Sequence, residues 1–136
     1  MNKLKLTTTV FSLALVSLTS CDPAKLIIVK NKSDRPACFY LAFKGSRMVG
    51  EGYEKEFETL KIELGTTKPD NRTAIPFGFG GWPRREVERF VDEQVKSIEI
   101  VGKETNVSMT DKQEMTEYLL ARRRGLFNQF ITIRID

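Results

Sequence analysis

The chain predicts a mainly β, α+β fold: a single antiparallel β-sandwich-like domain over residues 25–136. Two helices are expected, a short one near 83–93 and a clear C-terminal one before the last strand. Three observations carry this. Several short stretches alternate apolar and polar residues with period two between turn-forming residues, the mark of half-buried strands. Only two stretches show well-formed helical spacing. Setting aside a leader of twenty residues takes 136 residues to 116, enough for one hydrophobic core and not for two.

The elements follow in order. "KLIIVK" opens the domain, and Leu26 to Val29 is apolar on both faces, which suits a strand covered on both sides. After the turn-rich "NKSDRP", "ACFYLAF" sets Phe39, Leu41 and Phe43 against Cys38, Tyr40 and Ala42. The two strands are expected to form a hairpin. "GYEKEFETLKIELG" is ambiguous: Tyr53, Phe57, Leu60 and Leu64 share a helical stripe, while Leu60, Ile62 and Leu64 alternate, so a strand is expected over its second half. "GTTKPDNR" is a loop by composition, and "TAIPF" fits a short edge strand, where Pro76 is tolerated.

"GFGGWPRREVERFVDEQ" places Pro83 at a first helical position, with Val87, Phe90 and Val91 at helical spacing. "VKSIEIVG" alternates Val95, Ser97 and Glu99 against Lys96, Ile98 and Ile100 and reads as a strand. Thr110 with Gln113 forms a capping box for the C-terminal helix, Met115, Tyr118 and Leu119 give its apolar stripe, and Gly125 stops it. Arg122, Arg123 and Arg124 then fall in the last turn, where the helix dipole favours cations by roughly 0.3–1 kcal/mol each. The chain closes with "NQFITIRID", in which Ile131, Ile133 and Ile135 face one way.

Residues 1–20 have the layout of a secretory signal: Lys3 and Lys5, an apolar run from Val10 to Leu18, then Thr19 and Ser20. The run is shorter than the roughly 20 apolar residues that cross a bilayer. Leu18-Thr19-Ser20-Cys21 resembles the lipobox of bacterial lipoproteins. That resemblance implies a diacylglycerated and then acylated Cys21 as the first mature residue, anchored to the membrane through palmitate-type chains, with residues 21–24 as lipidated terminus and short tether. Two or three acyl chains make such attachment effectively permanent. A site on the outer membrane facing the periplasm is favoured, with the inner membrane and the cell surface open. Loss of Lys3 and Lys5 takes the formal charge from +4 to +2, which argues against nucleic acid as a partner.

A second resemblance covers much of the mature chain. "NKSDRPACFYLAF", the Trp82 to Phe90 segment before "SIEIV", and "YLLARRR" leading into "FITIRID" are similar to small lipoproteins of Bacteroidetes, which join a lipobox to one strand-rich domain. No activity comes with that family.

Chemistry is sparsely marked. The chain has no histidine, which removes the commonest general base and metal ligand. Cys38 has no base beside it in sequence and reads as a small apolar residue on a second buried face. "FGFGG" lacks the Lys-Ser/Thr ending of a phosphate loop. No cofactor and no metal site is expected. Two candidate binding patches remain: Phe77, Phe79 and Trp82 if exposed, and the basic triplet Arg122, Arg123 and Arg124 as an anion or lipid-headgroup patch. The expected function is a membrane-anchored, non-catalytic binding or structural module of the cell envelope, with an envelope protein or glycan as partner. The alternative is an envelope enzyme working through the carboxylates Glu51, Glu54, Glu56 and Glu58.

Overall fold

Isoleucine at every second position of "FITIRI" leaves the last strand one arrangement that takes all three side chains out of water. In the computed structural model, which describes residues 23–48 and 56–136, β8 (Phe130–Ile135) adopts it, with Ile131, Ile133 and Ile135 fully buried. The leader, Cys21, Glu51 and Glu54 lie outside the described residues, as does the side chain of Glu56.

β8 runs through the middle of a four-stranded sheet. On one side lies β1 (Ala24–Asn31), with β4 (Arg72–Phe79) at the edge beyond it; on the other lies the two-residue β7 (Arg123–Arg124). β4 is the expected edge strand, and its Pro76 stands opposite Leu26. β1 and β8 are parallel, with Leu26 beside Phe130 and Asn31 beside Ile135. Among the described strands this is the one departure from the antiparallel pairing that the sequence predicts.

The second sheet has the order β3 (Glu56–Leu64), β2 (Ala37–Met48), β5 (Val95–Val101), β6 (Asn106–Met109), all antiparallel. The ambiguous segment is a strand, as expected of its second half, and buries Leu60 and Leu64. β5 corrects a sequence expectation. Ala42 faces Ser97 while Phe43 faces Val95, so Lys96 is an extra residue in a β-bulge. The bulge shifts the side-chain parity, and Val95 and Ile98 both enter the core although they are three residues apart.

The inner faces of both sheets share one core with two helices. α1 (Arg84–Gln94) buries Val87, Phe90 and Val91 and packs on β2, β5 and α2 (Lys112–Leu120), which buries Met115, Leu119 and Leu120. Each helix start differs by one residue from expectation. Pro83 caps α1 from just outside instead of occupying its first turn. Asp111, not Thr110, caps α2, its carboxylate accepting the Glu114 amide at 2.8 Å. Both residue types cap well, so the backbone entry angle decides between neighbours.

The expected β1–β2 hairpin is not formed: the two strands belong to different sheets. The turn between them is instead locked by a fully buried Asn31. Its amide Nδ2 donates to the carbonyls of Arg35 at 2.7 Å and Gly65 at 2.9 Å, and its Oδ1 accepts from the Ser33 amide at 3.0 Å and hydroxyl at 2.8 Å. Gly65 follows β3, so this side chain ties the exit of one sheet to the rim of the other with its polar atoms satisfied. Asn31→Ala is expected to cost about 3 kcal/mol, because it removes four part-buried hydrogen bonds at about 0.5–1.5 kcal/mol each. Asn31→Asp, which removes both donors, should cost about as much. Urea unfolding with an unchanged slope is the check, and a loss below about 1 kcal/mol in both variants would remove the clamp.

Candidate functional site

The aromatic segment divides into core and surface. Trp82 has no exposed surface; its ring meets Phe90 at 5.1 Å and Phe77 at 5.8 Å between centroids, and Phe77 meets Phe90 at 5.2 Å, all edge to face. The indole Nε1 donates to the Leu26 carbonyl at 3.0 Å. Lys25 Nζ sits 5.0 Å from the indole ring centroid and 3.5 Å from Glu86, which also accepts from Arg89 at 2.8 Å. Burial pushes the Glu86 carboxyl up, but the bonds and charges of Arg89 and Lys25 outweigh it and hold the group below the usual carboxylate range. The expected patch of Phe77, Phe79 and Trp82 is therefore corrected: Trp82 is core, Phe77 is half-buried against it, and only Phe79 is exposed.

The basic triplet is also divided. α2 ends at Leu120 with Ala121 as its cap, so the arginines lie past the last turn and not within it. Their guanidinium groups nevertheless return to the helix end: Arg122 Nη1 donates to the Tyr118 carbonyl at 2.9 Å, Arg123 Nε to Leu120 at 3.2 Å, and Arg124 Nη1 to Ala121 at 3.3 Å. Strand alternation then separates them. Arg123 reaches the Trp82 carbonyl at 3.3 Å. Arg122, stacked 3.4 Å from the Tyr118 ring centroid, and Arg124 line a recess of about 390 Å³ with Thr132, Arg134 and Asp136.

That recess belongs to a wider cationic face that sequence reasoning missed. On the outer side of the first sheet Lys30 stands beside Arg72 on one neighbouring strand and Arg134 on the other, in register. Neighbouring strands lie roughly 4.8 Å apart, so three cations form a row, and like charges placed directly opposite cost stability. Burial, then the charges of Arg72, Lys32, Arg134 and Lys68, holds the Lys30 amine below the ordinary lysine range. Among the described residues none of Lys30, Arg72, Arg122, Arg124 or Arg134 makes an ion pair, and Asp136 is the only acid lining the recess. The charged groove between α1 and α2 is different: Asp92 pairs with Lys112, and Arg84 bridges Glu88 at 3.5 Å and Glu117 at 3.7 Å.

Of the proposed carboxylate cluster, Glu58 is described and exposed; it lines a cavity of about 470 Å³ beside the β2–β5 bulge, in which it is the only acid. Cys38 is half-buried beside Tyr40, with no disulfide partner among the described residues. Among the described residues no group of His, Cys, Asp and Glu is arranged to hold a metal ion, and no helix is long and apolar enough to cross a membrane. Comparison with protein families, curated protein sequences and solved structures gives no match.

Lys30→Gln is expected to stabilise the fold by about 0.5 kcal/mol at neutral pH, since it removes the middle charge of the row. The sign of the pH dependence follows from the lowered amine. Between its folded and unfolded pKa the unfolded chain holds more protons, so stability rises with pH there. The wild type should gain stability as pH climbs through the lower part of the lysine range, and Lys30→Gln should lose that gain. Urea midpoints across alkaline pH read both.

Proposed function

We propose that this chain is a lipid-anchored, non-catalytic module of a bacterial cell envelope, held on the outer membrane facing the periplasm. It offers the outer face of its first sheet to an acidic glycan of that envelope. The observation that carries the binding half is the row Arg72, Lys30 and Arg134, extended by Arg122 and Arg124 and lacking ion-pair partners among the described residues. The lipobox at Leu18 to Cys21 carries the anchoring half.

The physical case for a polyanion lies in the spacing. Cations repeated across adjacent strands suit a ligand with several negative groups, and arginine offers a planar pair of donors to each carboxylate or sulfate. Arg122 is pre-organised for this by its stacking on Tyr118, so little rotamer freedom remains to be lost on binding. Among the described residues, the face has no ion pairs of its own to break before meeting such a ligand.

Two measurements test the reading. Labelled palmitate should enter the wild-type protein in cells and be absent from Cys21→Ser; continued labelling of that variant would refute the anchor. Detergent-solubilised wild type should bind a sulfated polysaccharide with an affinity that falls as salt rises. The double variant Arg72→Gln/Arg134→Gln should bind about tenfold more weakly with a shallower salt dependence, each lost charge contributing roughly 0.7 kcal/mol. Equal binding by the two proteins would sink the assignment of this face.

A further inference from the structure

Among the described residues four large apolar side chains are strongly exposed: Phe79 at 74%, Val101 at 40%, Leu126 at 89% and Phe127 at 67%. Three of these four stand at one end of the first sheet. Phe79 ends β4 and pairs with Ala24, the first residue of β1. Leu126 and Phe127 occupy the turn that leads into β8, whose start lies beside the start of β1 because those strands are parallel.

This end is rigidly built. Gly81 has φ +71, and a Cβ there would sit 2.8 Å from the Phe127 carbonyl oxygen, so the Phe79-Gly80-Gly81 segment packs backbone to backbone on the turn. The Trp82 amide donates to Asn128 at 2.7 Å and the Leu26 amide to Gln129 at 3.0 Å. Gln129 Oε1 accepts the Phe127 amide at 3.1 Å, and Asn128, at φ 51, closes the turn with its amide on Gly125 at 3.3 Å. Turn tips ordinarily carry polar residues, and large apolar groups held out in water mark a contact surface.

The chain itself names the occupant. Pro23 accepts a hydrogen bond from the Gly80 amide at 2.9 Å, next to Phe79. Cys21 is two residues earlier, which allows a separation of about 7 Å at full extension. We infer that Phe79, Leu126 and Phe127 form a tip that inserts into the interfacial region of the lipid bilayer carrying the Cys21 anchor. The inference rests on the lipoprotein reading. An acyl-modified Cys21 brings the headgroups within reach of this end alone, and the tip converts attachment at one point into a fixed orientation. The cationic row, at the opposite end of β1, then points away from the membrane.

The test uses the full-length lipidated protein reconstituted into phosphatidylcholine vesicles whose acyl chains are brominated near the headgroup. Phe127→Trp and Phe79→Trp should each add an emission that is blue-shifted and largely quenched by bromine, over the background of buried Trp82. Glu104→Trp, exposed at the other end of the domain, should stay unquenched. Urea midpoints equal to wild type show that the variants fold. Palmitate content is measured on the same samples. Missing palmitate overturns the anchor, and the tip with it; palmitate present while the added indole stays unquenched in both Phe127→Trp and Phe79→Trp overturns the tip alone. A blue shift without bromine quenching means that another protein surface covers the tip, which also overturns the proposal.

Discussion

β1 and β8 run side by side through the middle of one sheet in the same direction, and a parallel pair cannot be joined by a tight turn. The whole chain between them, the second sheet and both helices, serves as the connection. Each strand is hydrogen-bonded on both sides, so neither is a removable edge. The first described strand meets the last, and completing this sheet requires both. The same pairing brings the beginnings of β1 and β8 to one end and their finishes to the other. Both surface features of interest descend from it.

What fixes the first of those ends is the buried Trp82. Its ring nitrogen binds β1 at Leu26, its amide binds the turn before β8 at Asn128, and its carbonyl receives Arg123 from the far side of that turn. The edge contacts to Phe77 and Phe90 then join β4 and α1 to the same point. A single residue, through its indole and its own backbone, thus does what several separate contacts would otherwise have to do, and the inward turn of Arg123 to the Trp82 carbonyl is part of it. At the other end Asn31 plays the matching part with four polar contacts. The two residues hold opposite ends of β1, one through apolar mass and one through hydrogen bonds.

Much of the fold was legible in the sequence because local pattern carries it. The isoleucines of β8, the aromatic alternation of β2 and the apolar stripes of both helices each state which face is buried, whatever their neighbours prove to be. Strand partners are another matter. "NKSDRP" correctly marks a turn, but turn composition does not say whether the next strand returns to the same sheet, and a buried Asn31 side chain sends it elsewhere. The β-bulge at Lys96 and the shift of the α2 cap from Thr110 to Asp111 are decided by tertiary geometry that period and propensity do not see. The candidate site suffered most from this. Arg122, Arg123 and Arg124 were visible as a run, yet strand alternation splits them, whereas Lys30, Arg72 and Arg134 are separated by dozens of residues and become neighbours only through strand pairing. Phe77, Phe79 and Trp82 looked alike as aromatics near glycines, and burial alone tells one from another.

The two unusual surfaces carry opposite penalties, and their separation is informative. A row of like charges and a cluster of exposed apolar groups each lower the stability or solubility of a free domain, and folds dilute such features when nothing uses them. Here they are kept apart by most of the length of β1, roughly 20 Å between Ala24 and Lys30 at the usual strand rise. Were the row to meet the same membrane, Lys30 and its two neighbours would belong beside the apolar tip; they are at the far end, and of the wider cationic face it is Arg124, opposite Phe130, whose backbone lies next to the tip. Under the proposed anchoring, the apolar end lies against the lipid and the cationic end faces outward, so neither penalty is borne by a surface left in water without a counterpart. The orientation follows from three local facts, the bond that pins Pro23 to Gly80, the parallel pairing that gathers the tip, and the register that sets Lys30 between Arg72 and Arg134.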